Sequence, residues 1–92
     1  GIDRPNLRLE AVDVFDDKEK LKKIISTLEM YTGSGIIYFS LIRTLEKISE
    51  ILGDKGFRHG IYHGKLEDRQ RKNMQRDFLT GKQKLILATN AL

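Results

Sequence analysis

The sequence predicts an α/β fold in which helices cover both faces of a parallel sheet. Continuous apolar runs at residues 36–39 and 85–87 are typical of strands that are buried on both faces. Between the predicted strands, apolar residues recur at helical spacing and the connections are short. Strands that alternate with helices through short connections require right-handed crossovers, and these produce a parallel sheet layered by helices.

The first third of the chain predicts a strand followed by a helix. Residues 1–6 contain the only proline and predict a linker or a lead-in to the first strand. Residues 7–14 carry apolar residues spread among polar ones, which predicts an edge strand. Residues 18–30 predict an amphipathic helix, with the aspartates at 16–17 as candidate caps.

The rest of the chain predicts three more strands with helices between them. Residues 36–39 form a buried strand, and Ser40 is the candidate N-cap of the helix that follows. One face of that helix is apolar and consists of Leu41, Leu45, Ile48 and Leu52. A short strand at 58–62, a helix from about 67 to 79 with an acidic first turn, and a buried strand at 84–88 complete the order β-α-β-α-β-α-β.

Length and composition predict one small, folded, soluble domain without a membrane segment. The chain has 92 residues, of which 39% are apolar and 33% are charged. No apolar run approaches the roughly 20 residues that cross a bilayer, and the first residues lack a signal pattern, so we expect a cytoplasmic protein. Without cysteine, and with only His59 and His63 as histidines, we expect no metal site.

The chain is basic, with a formal net charge of +4 at pH 7. A basic chain is attracted to polyanions, although lysine-rich surfaces also occur merely for solvation. On the predicted helix at 67–79, Arg69, Lys72 and Arg76 lie at spacings of three and four and share one face. This face is either a binding stripe or a solvated surface, because acidic residues of the same helix dilute its charge.

Polar residues follow three of the predicted strands, where α/β proteins bind their ligands. Ser40 and the N–H groups beyond it can hold an anion, although a plain N-cap is the simpler interpretation. His63 and Gly64 offer a donor and room for close approach, or form an ordinary turn. Thr89 and Asn90 supply a hydroxyl and an amide suited to phosphate or sugar oxygens.

The sequence contains no complete catalytic machinery. It has no glycine-rich loop that ends in Gly-Lys-Ser or Gly-Lys-Thr and could cradle a triphosphate. It also has no recognisable Ser-His-Asp arrangement and no convincing pair of carboxylates, so we predict no catalytic residue.

Four segments and one arginine resemble the motifs of superfamily 2 helicases, in the expected order. Residues 3–8, Asp-Arg-Pro-Asn-Leu-Arg, resemble the segment by which RecQ helicases enter the second lobe. Residues 34–40 resemble motif IV, and residues 62–66 resemble the segment after it. Arg71 matches the arginine of the following helix, and residues 88–91 resemble the opening of motif V.

The resemblance implies a truncated RecA-like, P-loop NTPase-like lobe with three layers. Residues 1–6 would be the lobe entrance, and residues 7–92 a partial helicase C-terminal domain that stops before motif VI. The implied parent is an ATP-dependent 3′-5′ DNA helicase that acts on DNA in the cell, at the nucleoid of a bacterium. ATP and Mg²⁺ would be bound by the parent, not by this chain alone, and the partners would be single-stranded DNA and the first RecA-like lobe.

The resemblance and the strand ends together predict the nucleic-acid-binding residues. These are Ser40, Arg43, His63, Gly64, Arg69, Arg71, Lys72, Thr89 and Asn90. Asp68 stands where DEAD-box RNA helicases carry a glutamine, which favours RecQ. Two alternatives remain: the lobe of an RNA helicase or other superfamily 2 translocase, and a non-enzymatic α/β binding module.

Overall fold

Strands and helices alternate along the chain in the computed structural model, which describes residues 6–10 and 18–89. The elements are β1 (Asn6–Glu10), α1 (Lys18–Met30), β2 (Ser34–Phe39), α2 (Ile42–Asp54), β3 (Gly60–Tyr62), α3 (Asp68–Leu79) and β4 (Leu85–Thr89). The predicted order of elements is confirmed.

The four strands form one parallel sheet in the order β1-β2-β4-β3. The last strand of the described chain therefore lies between β2 and β3, and Ile86, Leu87 and Ala88 are fully buried there. Continuous apolar sequence is what such a position requires, because both faces of a central strand are covered. The predicted parallel α/β sheet is confirmed.

Helices α1 and α2 cover one face of the sheet and form the main core with it. The buried members of this core are Ile24, Ile37, Phe39, Leu45, Ile48, Leu52 and Leu87. The α2 residues Leu45, Ile48 and Leu52 are at most 2% exposed, which matches their predicted place on one helical face. Complete burial of a leucine side chain contributes about 1.5–3 kcal/mol.

Helix α3 covers the opposite face, which completes three layers. Successive strand residues point to opposite faces, so Gly60 faces away from the core in which Ile61 takes part. A Cβ placed on Gly60 would lie 2.4 Å from Sδ of Met74 in α3. The missing side chain at Gly60 thus allows Met74 to pack directly on the β3 backbone.

The α2 N-terminus differs from the sequence prediction. The N-cap is Leu41, in extended backbone with φ −130° and ψ 139°, and it makes no side-chain capping bond. The prediction that Ser40 caps this helix was wrong, because the helix begins one residue later than a Ser40 cap requires. Leu41 is 48% exposed and so does not belong to the buried face that the sequence assigned to it.

Several other boundaries shift by a few residues. The third strand covers Gly60–Tyr62 and not 58–62, and the last covers Leu85–Thr89 and not 84–88. The first strand is described over Asn6–Glu10. The rest of its predicted range and the aspartates at 16–17 lie outside the described residues. Within the described ranges, no helix has the length and apolar character needed to cross a membrane.

Candidate nucleic-acid interface

Three predicted strand ends come together at the carboxyl edge of the sheet. Phe39 of β2 pairs with Thr89 of β4, and Tyr62 of β3 pairs with Ala88 of the same strand. Ser40 directly follows β2, and His63 directly follows β3. Because β4 lies between these two strands, the two residues lie on either side of its carboxyl end. The strand order, with β4 in the middle, brings together residues that lie far apart in the sequence.

Thr89 contributes a buried hydroxyl to this edge. The residue is 4% exposed, and its Oγ1 has no hydrogen-bond partner among the described residues. A buried polar group without a partner costs about 1–3 kcal/mol, and a hydrogen bond from a ligand to this hydroxyl would recover that cost. Ser34 has a similar unpartnered hydroxyl, but it starts β2 and lies at the opposite edge of the sheet.

His63 is turned into the protein and takes part in the turn after β3. The residue is 6% exposed, and its Nδ1 accepts a hydrogen bond from the Lys65 N–H at 3.2 Å. In a neutral ring this bond places the proton on Nε2, which is then the donor that the sequence predicted. The His63 carbonyl also accepts from the Leu66 N–H at 3.2 Å, which closes the turn.

Gly64 and Lys65 form the exposed tip of this turn. No atom lies within 4 Å of a Cβ placed on Gly64, so the space beside its backbone is open. The side chain of Lys65 is exposed and has no ion pair within the described parts of the chain. A ligand can therefore approach the backbone at Gly64 with a free cation beside it.

The guanidinium of Arg71 is bound to the same turn. Its Nη1 donates to the carbonyl oxygens of Gly64 at 3.1 Å and Leu66 at 2.8 Å. Its Nη2 donates to the carboxylate of Asp68. The spacing of three between Asp68 and Arg71 predicts an ion pair on a helix. The two carbonyl contacts have no signal in the sequence.

Helix α3 begins at this edge with a capping box. Glu67 is the N-cap, its side chain accepts from the backbone of Gln70, and its own N–H donates to Gln70 Oε1 at 3.0 Å. These reciprocal bonds satisfy two N–H groups that a helix start leaves free. These bonds hold the first turn of α3, which carries Arg69.

A basic stripe runs from the turn down α3. We use this name for Lys65, Arg69, Lys72 and Arg76, all of which are exposed. Arg76 lies 3.7 Å from the Asp77 carboxylate, whereas the other three members have no ion pair within residues 6–10 and 18–89. Charge that is not neutralised by a neighbour remains available to a polyanion.

Arg43 and Asn90 are the two remaining predicted site residues of this group. Arg43 is exposed in the first turn of α2, close behind Ser40, and forms no ion pair in the described part of the chain. Asn90 lies outside the described residues. Within those residues, no three histidine or acidic side chains are grouped in a way that could hold a metal ion.

His59, the second histidine, has a structural environment. Its Nε2 lies 2.6 Å from Ser49 Oγ of α2, and its Nδ1 lies 2.8 Å from the Phe57 carbonyl oxygen. A ring that donates to the carbonyl through Nδ1 accepts the serine hydroxyl through Nε2. Both ring nitrogens are thus used to hold the connection between α2 and β3.

Comparison with known proteins agrees with the fold and the motifs. Residues 16–92 match the family described as the helicase conserved C-terminal domain. The carboxyl-terminal domain of Dbp5p, solved in solution, is similar with a TM-score of 0.61 and 26% identity, over 97% of this chain and 46% of that one. This similarity confirms the predicted RecA-like lobe.

Similar curated proteins include both DNA and RNA helicases. The ATP-dependent DNA helicase RecQ of Pasteurella multocida is 37% identical over 91 residues, covering 99% of this chain and 14% of that protein. The ATP-dependent RNA helicase DBP3 of Lodderomyces elongisporus is 35% identical over 88 residues, covering 88% of this chain and 16% of that protein. The chain thus spans about a seventh of these relatives. The resemblance to RecQ helicases is confirmed, and the chain belongs to the helicase conserved C-terminal domain family.

Proposed function

We propose that this chain is part of the second motor lobe of an ATP-dependent 3′-5′ DNA helicase of the RecQ type, and that it grips the backbone of single-stranded DNA. The observation that carries the proposal is the convergence of Ser40, His63 and Thr89 at one edge of the sheet, beside the start of the basic stripe. Hydroxyl groups, backbone N–H groups at helix starts and basic side chains are the usual partners of phosphate and sugar oxygens.

The proposed contacts are to the backbone and not to the bases. Lys65, Arg69 and Lys72 are exposed cations without ion pairs in the described chain, and a strand that follows them would be bound through charge. Contacts of this kind fix the position of the strand without reading its sequence. We therefore expect similar affinity for strands of different base sequence.

In this proposal, ATP and magnesium are bound by the complete motor with both lobes, and not by this chain alone. The sequence has no loop that could cradle a triphosphate and supply its lysine, so the first RecA-like lobe would hold the nucleotide. We expect no ATP hydrolysis by this chain alone. DNA-stimulated hydrolysis should require a first lobe and the arginine-bearing motif VI, since an arginine finger is typically worth about 10³ to 10⁵ in rate.

DNA is proposed over RNA because Asp68 stands where the RNA helicases that the sequence resembles carry glutamine. The carboxylate of Asp68, in the first turn of α3, pairs with Arg71. A helicase lobe acting on RNA is the second candidate, and the similarity to an RNA helicase from L. elongisporus supports it. Equal or tighter binding of an RNA strand than of a DNA strand of the same length would favour that candidate.

The decisive experiment measures the binding of fluorescent oligo(dT) and oligo(U) by anisotropy at several salt concentrations. If about three phosphates are contacted, the slope of log affinity against log salt is about −2, from about 0.7 per contact on single strands. Between 50 and 200 mM salt the affinity should then fall by about 16-fold. Binding that ignores salt, or that depends strongly on base sequence, would contradict the proposal.

A pair of charge-matched variants locates the contact surface. Arg69→Ala with Lys72→Ala removes two members of the basic stripe, and the slope should change from about −2 to about −0.7, the value for one remaining contact. Lys22→Ala with Lys23→Ala removes the same charge from exposed positions on α1 and should leave the slope near −2. Equal effects of the two double variants would mean that net charge, and not this surface, binds the strand.

A further inference from the structure

Three of the five N–H groups of the Arg71 guanidinium donate to other groups of the same chain. Both Nη1 contacts go to carbonyl oxygens of the turn, and the Nη2 contact goes to the carboxylate of Asp68. The Nη1 group has two N–H bonds, so these two carbonyls account for both of them. The Arg71 side chain is 28% exposed, compared with 65% for that of Arg76 on the same helix.

The turn from His63 to Leu66 is also held by hydrogen bonds between its own residues. Inside the turn, the Lys65 N–H donates to His63 Nδ1, and the Leu66 N–H donates to the His63 carbonyl. The carbonyl oxygens of Gly64 and Leu66 accept hydrogen bonds from the guanidinium of Arg71 in α3. One side chain therefore fixes both the tip and the end of the turn against the helix.

We infer that Arg71 is a positioning residue: it holds the turn from His63 to Leu66 against α3 and so places His63 and Lys65 at the nucleic-acid interface, instead of binding a phosphate itself. Asp68 holds the other side of the guanidinium and neutralises its charge. This inference rests on the proposed function for its effect on binding. The contact between Arg71 and the turn is independent of any nucleic acid.

Only an arginine meets the geometry. A planar guanidinium offers five N–H groups in a fixed fork, whereas a lysine ammonium has its three N–H groups on one nitrogen at the end of a flexible stem. Arg71→Lys therefore keeps the positive charge but loses the simultaneous contacts to both carbonyls and the carboxylate. Arg71→Gln removes the charge as well. A positioning role predicts that the two variants behave alike, and a phosphate-binding role predicts that they differ.

The first measurement is amide hydrogen exchange in the chain without nucleic acid. In Arg71→Lys and Arg71→Gln, exchange at the N–H groups of Lys65 and Leu66 should accelerate by about tenfold, while protection within α2 stays unchanged. Arg69→Lys, an equivalent change at an exposed position of the same helix, should leave both turn amides as they are. Unchanged exchange at the turn in the Arg71 variants would overturn the inference.

The second measurement is the salt dependence of oligo(dT) binding. Both Arg71 variants should weaken binding several-fold and change the slope by the same amount, at most about 0.7, because a displaced turn can lose the Lys65 contact whereas Arg71 itself contributes none. A slope that falls by about 0.7 in Arg71→Gln, but not in Arg71→Lys, would show a phosphate contact and overturn the inference. If the unaltered chain binds no strand at all, the proposed function fails, and the exchange experiment still decides the role of Arg71.

Discussion

The packing of α3 on β3 can be tested at Gly60. In Gly60→Ala the new methyl group would lie 2.4 Å from Sδ and 2.7 Å from Cε of Met74, and 3.2 Å from Cγ of Gln83. The two closest atoms belong to the far end of a flexible side chain, so Met74 can move, and the cost belongs at the low end of the roughly 1–3 kcal/mol typical of overpacking. Alanine also restricts the unfolded chain, which offsets about 0.4–1 kcal/mol. A cost of about 1 kcal/mol less this offset leaves an expected net loss of about 0–0.6 kcal/mol.

Urea unfolding of a double-mutant cycle measures this contact. Met74→Ala removes the side chain that the new methyl group meets, so adding Gly60→Ala to it should stabilise the chain by about 0.4–1 kcal/mol, with a coupling of about 1 kcal/mol. Gly53→Ala is the control, because no atom lies within 4 Å of its added Cβ in the exposed end of α2. That variant should stabilise the chain by about 0.5–1 kcal/mol. If Gly60→Ala costs the same in both backgrounds, the contact with Met74 is not its cause.

Two further substitutions test the core and the start of α3. Leu52→Ala removes a side chain that is 0% exposed between α2 and the sheet. It should lower the free energy of unfolding, measured in urea, by about 2–5 kcal/mol. A loss below about 1 kcal/mol would contradict the described core. Glu67→Ala removes one half of the capping box and should cost about 1 kcal/mol, seen as a fall in Tm of about 4–8 °C. An unchanged Tm would show that Gln70 alone suffices there.

The order of the elements was predictable because each carries its own periodicity. The apolar face of α2 at Leu45, Ile48 and Leu52 and the continuous apolar sequence of β4 are local signals, and both are confirmed. The short β3 was not predictable to the residue. The ring of His59 binds the Phe57 carbonyl and Ser49, and these side-chain contacts occupy the segment that the sequence assigned to the strand.

The start of α2 shows where a residue preference gives way to packing. Serine is among the best N-cap residues, and Ser40 follows the strand directly. The helix nevertheless begins at Ile42, after an extended Leu41 that offers no capping side chain. With this start the helix keeps Leu45 and Leu52 completely buried, and that burial contributes more than the roughly 1 kcal/mol of a cap.

The site was predictable in part, since strand ends of a parallel sheet meet at one edge whatever the strand order. The rule placed Ser40, His63 and Thr89 together, and the observed order with β4 in the middle agrees with it. The burial of the Thr89 hydroxyl without a partner among the described residues was not predictable, because burial of a single oxygen depends on packing from several elements. The same holds for the partners of Arg71, two of which are backbone carbonyls.

Under the proposed function, a basic side chain near the turn can bind a strand only if a neighbouring carboxylate does not already neutralise its charge. Arg71 is neutralised by Asp68 and bound to two carbonyls, and Arg76 lies near Asp77. Among the described residues near the turn, Lys65, Arg69 and Lys72 are exposed cations without an ion-pair partner, and a count of basic residues does not distinguish them from the others. Because these three side chains hold no part of the described fold, their charge can be removed without disturbing the turn that Arg71 maintains. Under the proposed function, binding the strand and shaping the site that binds it therefore fall to different residues of α3 and the turn before it.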